Sequence, residues 1–567
     1  MEFRWVIDHD VDEDEVDRLQ KELGIPRVLA HILLKRGIDS FEKARPYFRP
    51  DLGQLHDPYR MRDMDKAVDR LHRALENGEN ILVYGDYDVD GVCGSALLYL
   101  VLSHLVGSRV SYYIPDRISE GYGLSQKGVQ ECADRGISLI VTVDCGITAV
   151  EEVAFARQLG LDVIVCDHHE PGATLPPAVA VLDPKRPDCD YPFKELAGVG
   201  VAFKFMQGLY QRLGLNSSEL DEYLDIVALG SSADIVPLID ENRILVRHGL
   251  DRINFNPRCG VRALLESSGI DKKEVTVGLI VFVLAPRINA VGRMGDARRA
   301  VQLLTATSLQ QARELARELE QENRVRRNVD ETTFKEALEF VETHLDPEND
   351  YALVLHKEGW HPGVIGIVAS RIAERFYRPT VIISVSDGIG KGSGRSIARF
   401  NIYEAIRDCA EFLEGFGGHK YAAGLTISAS RIPEFAEQFR QIARERLTEE
   451  DLIPTMNVDC EVELKEFDEH LMRLLKLMGP FGPMNMRPVF VSRNLNVVGE
   501  PSVVGTNHLR FSVEQDGVVM NAIGFNLGER LEVITRKAKP VVDCVYVVEE
   551  NHWNGRKEIQ LRIKDLK

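Results

Sequence analysis

Residues 80–91 read NILVYGDYDVDG, and no other stretch limits the fold as much. An apolar run, Ile81-Leu82-Val83-Tyr84, stops at Gly85 and is followed by Asp86, Asp88 and Asp90 at alternate positions. Such a run reads as a buried strand, and the glycine-rich stop before SALLYLVLSHL reads as a helix beginning near Val92. The three acids therefore sit in the turn between the carboxyl end of a strand and a helix, where ligands bind in an open α/β sheet. Carboxylates this close raise one another's pKa unless a cation shares them. The stretch suits a divalent ion held by hard oxygen ligands. Two other readings compete. DxDxDG also opens an EF-hand loop, but its twelfth position would be Leu97 where a Glu is needed, and the flank reads as strand. A solvated acidic turn without metal looks the same from these residues alone.

The other strand ends weigh between these readings. From about 60 to 185, strands alternate with helices: RVSYYIP (109–115), a helix near Ser125 to Arg135, SLIVTVDCG (138–146), a helix near Ala149 to Leu159, and LDVIVCDHH (161–169). The alternation predicts a mostly parallel, doubly wound sheet. Its strands end in Asp86-Tyr87-Asp88, Asp144-Cys145-Gly146 and Asp167-His168-His169. Three segments distant in sequence thus bring carboxylate or imidazole to one edge. A fourth acid, Asp234, follows the apolar helix LDIVALG in GSSADIVPL. Buried among apolar flanks it needs a partner; it reads as a metal ligand, with a helix cap as the alternative.

A chain of 567 residues is too long for one core. No apolar run approaches the roughly 20 residues of a membrane span, and the acidic N-terminus lacks a signal-peptide profile, so a cytoplasmic chain without membrane association is expected. Nine Cys without a CxxC pair fit reduced thiols. The net charge of −19 argues against non-specific attraction to nucleic acid, although local basic patches remain open. Residues 1–55 read as an N-terminal helical arm, 56–240 as a catalytic α/β domain, and 241–345 as a helical region. The latter is expected to end in one continuous helix from about Arg298 to Leu345, on the order of 70 Å long, with a solvated charged face. A second α/β lobe, 346–450, contains the glycine-rich segments GIGKGSGRSIARF and GFGGHKYAAGLTIS. The short β runs of 451–567 fit an OB-like β-barrel that binds nucleic acid.

YGDYDVDG, VDCG, CDHHE and SSADIVPL, in this order, resemble the four motifs of the DHH phosphoesterase superfamily, and GSGRSI and FGGHKYAAG resemble its associated second domain. PDRISEGYGLS, PRINAVGRMG and HPGVIGIVASR narrow the resemblance to the superfamily's single-strand-specific 5′→3′ exonucleases, over nearly the whole chain. The resemblance implies two α/β lobes, a DHH domain and a DHH-associated domain, joined by a long helix and followed by the OB-like barrel. It also implies hydrolysis of single-stranded DNA from a 5′ end in recombination and repair, with Mn²⁺ or Mg²⁺, as a pair of ions. A monomer is expected, with single-stranded-DNA-binding protein and a helicase as partners.

Carried over, the metal ligands are Asp86, Asp88, Asp144, His168 and Asp234, with His169 beside them as a further catalytic residue. Asp90 is expected to support the turn. Many relatives carry His where this chain has Tyr84, which puts the strength of the second ion site in doubt. Arg117, Arg287 or Arg293, Ser393 and Arg395 are implied as the pocket for a 5′-phosphate, since forked Arg donors match phosphate. The GSGRS segment is expected as a loop binding anions through backbone N–H groups. His361 and His419 are expected to face substrate. Tyr403, Phe416 and Tyr421 are candidates for base stacking, and Arg510, Arg536, Lys537 and Lys539 for phosphate contacts on the barrel. Two other functions fit a DHH chain: an oligoribonuclease that also cleaves phosphoadenosine phosphate, and a non-catalytic replication scaffold. The terminal β domain argues against the first, the complete acid set against the second. Soluble inorganic pyrophosphatase is more distant, since it leaves the arginines of the middle region without a purpose.

Overall fold

A computed structural model describes residues 3–7, 11–117, 120–346, 350–535, 540–553 and 556–567. Arg4–Ile7 forms β1, and three short helices follow up to Phe48. The catalytic lobe is a five-stranded sheet of β2 (Ile81–Gly85), β3 (Val110–Tyr113), β4 (Leu139–Val143), β5 (Asp162–Cys166) and β6 (Ala180–Leu182), in the order β3-β2-β4-β5-β6. All its pairings are parallel. Alternate residues enter opposite cores: Ile81, Val83, Val141 and Ile164 on one face, Leu82, Tyr84, Ile140 and Val163 on the other. A parallel sheet covered on both faces requires such unbroken apolar runs. The helix after β2 starts at Val89 rather than near Val92, because the Asp88 side chain accepts from the N–H groups of Asp90 and Gly91 at 2.9 and 3.1 Å and so caps it.

Two helical stretches, Val89–Arg109 and Val277–Met294, are long and apolar enough to cross a membrane by composition. The first is largely enclosed by the catalytic lobe, which accounts for its apolar character without a bilayer.

The long connecting helix is shorter than expected. Arg298–Thr305 and Leu309–His344 are separate helices, broken at Ala306-Thr307-Ser308. Thr and Ser compete for backbone hydrogen bonds and favour helix ends. The 36 residues of the second helix span about 54 Å. Its face is not merely solvated: Ala312, Ala316 and Leu319 join the catalytic-lobe core, while Ala337 and Val341 join that of the second lobe. One helix thereby fixes both lobes.

The second lobe contains β7 (Leu353–Glu358), β8 (Thr380–Ser386), β9 (Ile389–Arg395), β10 (Gly415–His419) and β11 (Ala422–Ser428), ordered β10-β11-β9-β8-β7. GSGRS is not a loop. Its first four residues, Gly392 to Arg395, lie in β9, paired antiparallel to β8 on one side and β11 on the other, so their backbone groups belong to the sheet. The glycines answer to packing, since a Cβ at Gly392 or Gly394 would meet Leu425 or Ile402 at 2.7 Å.

Thr455–Val458 (β12) pairs in parallel with β1. Beyond it lie β13 (Cys460–Glu461), β14 (Phe490–Val504), β15 (His508–Gln515), β16 (Val518–Gly524), β17 (Val541–Trp553) and β18 (Arg556–Leu566). Their order, β13-β14-β15-β16-β18-β17, closes through a β14–β17 pairing into a five-stranded barrel, as an OB-fold requires. Arm and barrel share a core: Val16, Leu19, Leu29, Ile32 and Leu33 pack with Leu509, Phe511, Val513, Tyr546 and Leu561. The arm therefore contains a strand, and it docks on the far end of the chain. Of the barrel cations singled out above, Arg510 is exposed on β15, whereas Arg536, Lys537 and Lys539 lie outside the described residues.

Candidate metal centre

Register explains why distant acids meet. Gly85 of β2 pairs with Val143 of β4, so the next residues, Asp86 and Asp144, leave the sheet side by side. The Asp144 N–H donates to Cys166 O at 3.0 Å, which ties it to the end of β5 just before Asp167 and His168. Asp144 adopts a left-handed backbone, φ 61°, a conformation that Asp tolerates better than most residues. Close approach there demands glycine: a Cβ at Gly91 would strike the Asp86 backbone at 2.6 Å, and one at Gly198 would lie 2.8 Å from Asp144 Cβ.

Three sets of donor atoms converge, each within 4.8 Å: Asp86, Asp88 and Asp144; Asp144, His168 and His169; Asp90, His168 and Asp234. His168 Nε2 lies 3.1 Å from Asp144 Oδ1 and 3.6 Å from Asp234 Oδ2. Asp234 stands at the carboxyl end of helix Leu224–Ala233; its backbone N–H joins the helix while its carboxylate turns to His168. Ile235 beside it is left-handed, φ 62°, which for a β-branched residue costs on the order of 1–3 kcal/mol. Asp90 accepts from Gly198 N at 2.6 Å and Val199 N at 3.0 Å. It caps helix Gly198–Leu213, whose own N-cap is an Ala.

Sequence reasoning leaves two residues out. Asp167 is fully buried and accepts from the N–H groups of Ile147, His168 and His169 and from His169 Nδ1, the last at 2.8 Å. It fixes the His169 ring. Tyr122 donates its hydroxyl to Asp144 O at 2.9 Å, with His169 Nδ1 at 3.1 Å. Asp167 is visible in sequence as a strand-end acid; Tyr122 carries no signal beyond its place in SEGYGLS. Tyr84 faces away from the acids: its hydroxyl accepts from Ser125 N at 3.3 Å and its ring stacks on Tyr113.

Without cations the cluster opposes its own charge. Burial, and next the Asp88 charge, push Asp86 up to about 8 and Asp90 to about 7. Asp144 and Asp234 are also raised well above the usual carboxylate range, again chiefly by burial. Burial and then the adjacent His169 drive His168 down to about 3, so it is a neutral imidazole able to ligate. His169 moves the other way, to about 9, because the Asp167 carboxylate outweighs burial. Asp86 Oδ1 is buried without a hydrogen-bond partner. An orphaned oxygen, repelling carboxylates and one neutral imidazole are a donor set for divalent ions of the Mn²⁺ or Mg²⁺ kind.

A cluster of opposite sign lies beside it. Arg117 sits 5.0 Å over the ring of Tyr87, the residue between Asp86 and Asp88. Helix Ala285–Met294 presses on Tyr87 O through Gly292 and presents Arg293. Burial, then the charges of Arg117, Arg326 and Arg395, push Arg293 down to about 10. Arg395 is lowered by burial and by Arg117, and it donates to Ser393 Oγ at 3.0 Å. His361 accepts from Gly363 N, and Gly363 O accepts from Arg293. Arg117, Arg293, Arg395 and Ser393 are therefore gathered, with His361 adjoining. Arg287 instead contacts Glu320 at 2.7 Å as an ion pair on the connecting helix. His419 lies in the exposed β10–β11 hairpin, accepting from Tyr421 N. Phe416 and Tyr421 in that hairpin are exposed, and Tyr403 packs 6.0 Å from Phe416.

Family models match along the chain: the DHH family N-terminal domain at residues 80–231, the DHHA1 domain at 349–445 and the RecJ OB domain at 458–565. A Bacillus subtilis (strain 168) protein named single-stranded-DNA-specific exonuclease RecJ is 41% identical, covering 99% of this chain and 70% of that protein. The chain belongs to the RecJ family. A crystal structure of RecJ in complex with Mn²⁺ from Thermus thermophilus superposes with a TM-score of 0.85 at 30% identity, covering 100% of this chain and 79% of that one. A Mg²⁺ complex of RecJ from the same organism gives 0.79 at 28% identity, with 100% and 78% covered. The RecJ-family fold thus extends over the lobes, the connecting helix and the barrel.

Proposed function

We propose that this protein is a metal-dependent exonuclease that hydrolyses single-stranded DNA from its 5′ end. Tyr87 carries the reading. It belongs to the acidic motif, and both Arg117 and the helix of Arg293 rest on it, so a half-buried cationic cluster adjoins a buried anionic one. A terminal phosphate in the first sets a neighbouring phosphodiester over the second.

Asp86, Asp88, Asp144, His168 and Asp234 would hold the ions, Mn²⁺ or Mg²⁺; Asp144 and His168 each belong to two of the donor sets. When bound, such ions would supply the means to generate a nucleophile from water and to neutralise charge on the leaving oxygen. The chain's own residues orient the reaction. Asp167 engages Nδ1 of His169 and thereby leaves the Nε2 edge of this half-exposed ring for the phosphate. Arg117, Arg293 and Arg395 supply forked donors to the terminal phosphate, and Ser393 adds a hydroxyl. Phe416 and Tyr421 offer stacking surfaces, and Arg510 a phosphate contact on the barrel. The domain limits follow the sequence reading: 56–240 for catalysis, 346–450 for the DHH-associated lobe that adds Ser393 and Arg395 to the end pocket, 451–567 for strand binding. All nine Cys are free thiols, which supports a reducing cytoplasm. The protein acts as a monomer in recombination and repair, with single-stranded-DNA-binding protein and a helicase as partners.

Digestion of 5′- and 3′-labelled oligonucleotides, single- and double-stranded, with Mn²⁺ or with EDTA tests this. Mononucleotide release from the 5′ label, only on single strands and only with metal, is expected. Release of label from 3′ ends first would overturn the polarity.

A further inference from the structure

The segment between β3 and helix Gln126–Asp134 touches both clusters. Arg117, near its start, lies over Tyr87 beside the other pocket arginines. Tyr122, five residues on, donates to Asp144 O, and its ring meets His169 edge-on at 5.6 Å. Glu120 lies between the two contacts in sequence. The Glu120 side chain is only 6% exposed. Its Oε1 accepts from Asp116 N at 3.1 Å, its Oε2 accepts from Ser125 Oγ at 2.8 Å, and the Tyr113 hydroxyl lies within 3.0 Å of both. The backbone closes the same turn, with Glu120 N donating to Asp116 O at 2.9 Å. Ser125 in turn caps the following helix through Gly128 N and donates its own N–H to Tyr84. Glu120 touches neither cluster, yet it joins the end of β3, the start of that helix and the base of the turn bearing Arg117.

Resting on the function proposed above, we propose that Glu120 is a positioning residue that sets the register between the 5′-phosphate pocket and the metal centre. Hydrogen-bond donors gathered on one buried carboxylate tie Tyr113, Asp116 and Ser125 together, and so join the described parts of this segment on either side of residues 118–119. Loosening it lets the Arg117 end move relative to the Tyr122 end. The cut then loses its fixed distance from the terminal phosphate, while hydrolysis itself persists.

The test compares the full-length parent, Glu120→Ala, Glu120→Gln and Tyr113→Phe on oligonucleotides bearing a 5′-phosphate or a 5′-hydroxyl, with the length of the first product resolved. Glu120→Ala is expected to lower the phosphate-over-hydroxyl preference by about tenfold, the factor carried by a hydrogen bond to a charged group, and to turn a single first product into mononucleotides mixed with dinucleotides. Glu120→Gln keeps one acceptor oxygen and should recover part of both properties. Tyr113→Phe removes one donor without disturbing the ring and should shift both modestly in the same direction. Equal losses on both substrates with an unchanged first product mean a merely structural residue, and overturn the proposal. So does an unchanged preference in Glu120→Ala. A parent without any phosphate preference instead sinks the end-recognition reading, and this inference with it. Lys127→Ala, at an exposed neighbour 4.0 Å from Glu120, should behave as the parent.

Discussion

Two neighbouring clusters, one at the edge of the catalytic sheet and one completed by the second lobe, solve opposite problems with opposite charges. The catalytic sheet is parallel, and its strand ends crowd buried carboxylates until burial and mutual repulsion push Asp86 up to about 8. The second lobe's sheet is mixed, and its glycine-rich β9 carries Arg395 into a group of guanidiniums where burial and like charge hold Arg293 down at about 10. Each cluster is costly alone and gains by taking a ligand of the other sign: divalent cations in one, a phosphate in the other. On the proposed reading DNA would satisfy both at once, because Tyr87 lies between them. Buried like-charge groups at neighbouring strand ends therefore mark a binding site more firmly than any single perturbed residue.

Breaking the acidic side should have the largest effect. Asp144→Ala removes the acid shared by two donor sets and is expected to cut turnover by at least about 10³-fold, roughly 4 kcal/mol of barrier, while single-strand binding stays measurable. Turnover like the parent's would defeat the metal assignment. On the basic side, Arg395→Ala should reduce discrimination for a 5′-phosphate by about 10–100-fold and leave 5′-hydroxyl substrates nearly unaffected; equal losses on both would remove Arg395 from the pocket.

A smaller effect separates burial from ligation. Asp183 follows β6 at the same sheet edge, fully buried, with Oδ2 unpartnered, and burial raises it to about 7. A carboxyl raised on folding favours the fold while protonated. That contribution is full below the unfolded value near 3.9 and is lost as pH rises through about 7. Asp183→Asn should leave the unfolding free energy unchanged near pH 4, raise it by a growing margin up to pH 7, and raise it by about 1–4 kcal/mol above that, with Tm rising in step. A gain independent of pH would rule out this origin. The smallest effect belongs to the barrel: Arg510→Ala should flatten the log–log salt dependence of single-strand binding by about 0.7, and an unchanged slope would take Arg510 off the strand's path. Deleting the barrel outright is a poor substitute, because the arm helices would lose their core.

The gathering of acids and imidazole at one edge is legible in sequence because short apolar runs bounded by turn residues locate strands, and in a parallel sheet the carboxyl ends of the strands fall on one edge. Asp86, Asp144 and His168 need no more than that. The roles of Asp167 and Tyr122 depend on which side chains reach them across the fold, and no local pattern encodes that. The pairing of Arg287 with Glu320 is likewise tertiary. GSGRS reads as a loop because glycines erase the alternation by which a strand is recognised, although here they are needed for the packing of neighbouring side chains. The break at Ala306-Thr307-Ser308 is masked by a run otherwise rich in helix formers. β1 escapes sequence reasoning because four residues paired with a segment some 450 positions away give no local signal.

That last pairing bears on how the protein is made. The helices up to Phe48 emerge from the ribosome first, yet the apolar surface they cover belongs to strands translated about 400 residues later. At 5–20 residues per second this leaves them exposed for on the order of half a minute. The hydrolytic lobe and the end pocket can close meanwhile, so the nascent enzyme gains its scissors before its grip on the strand.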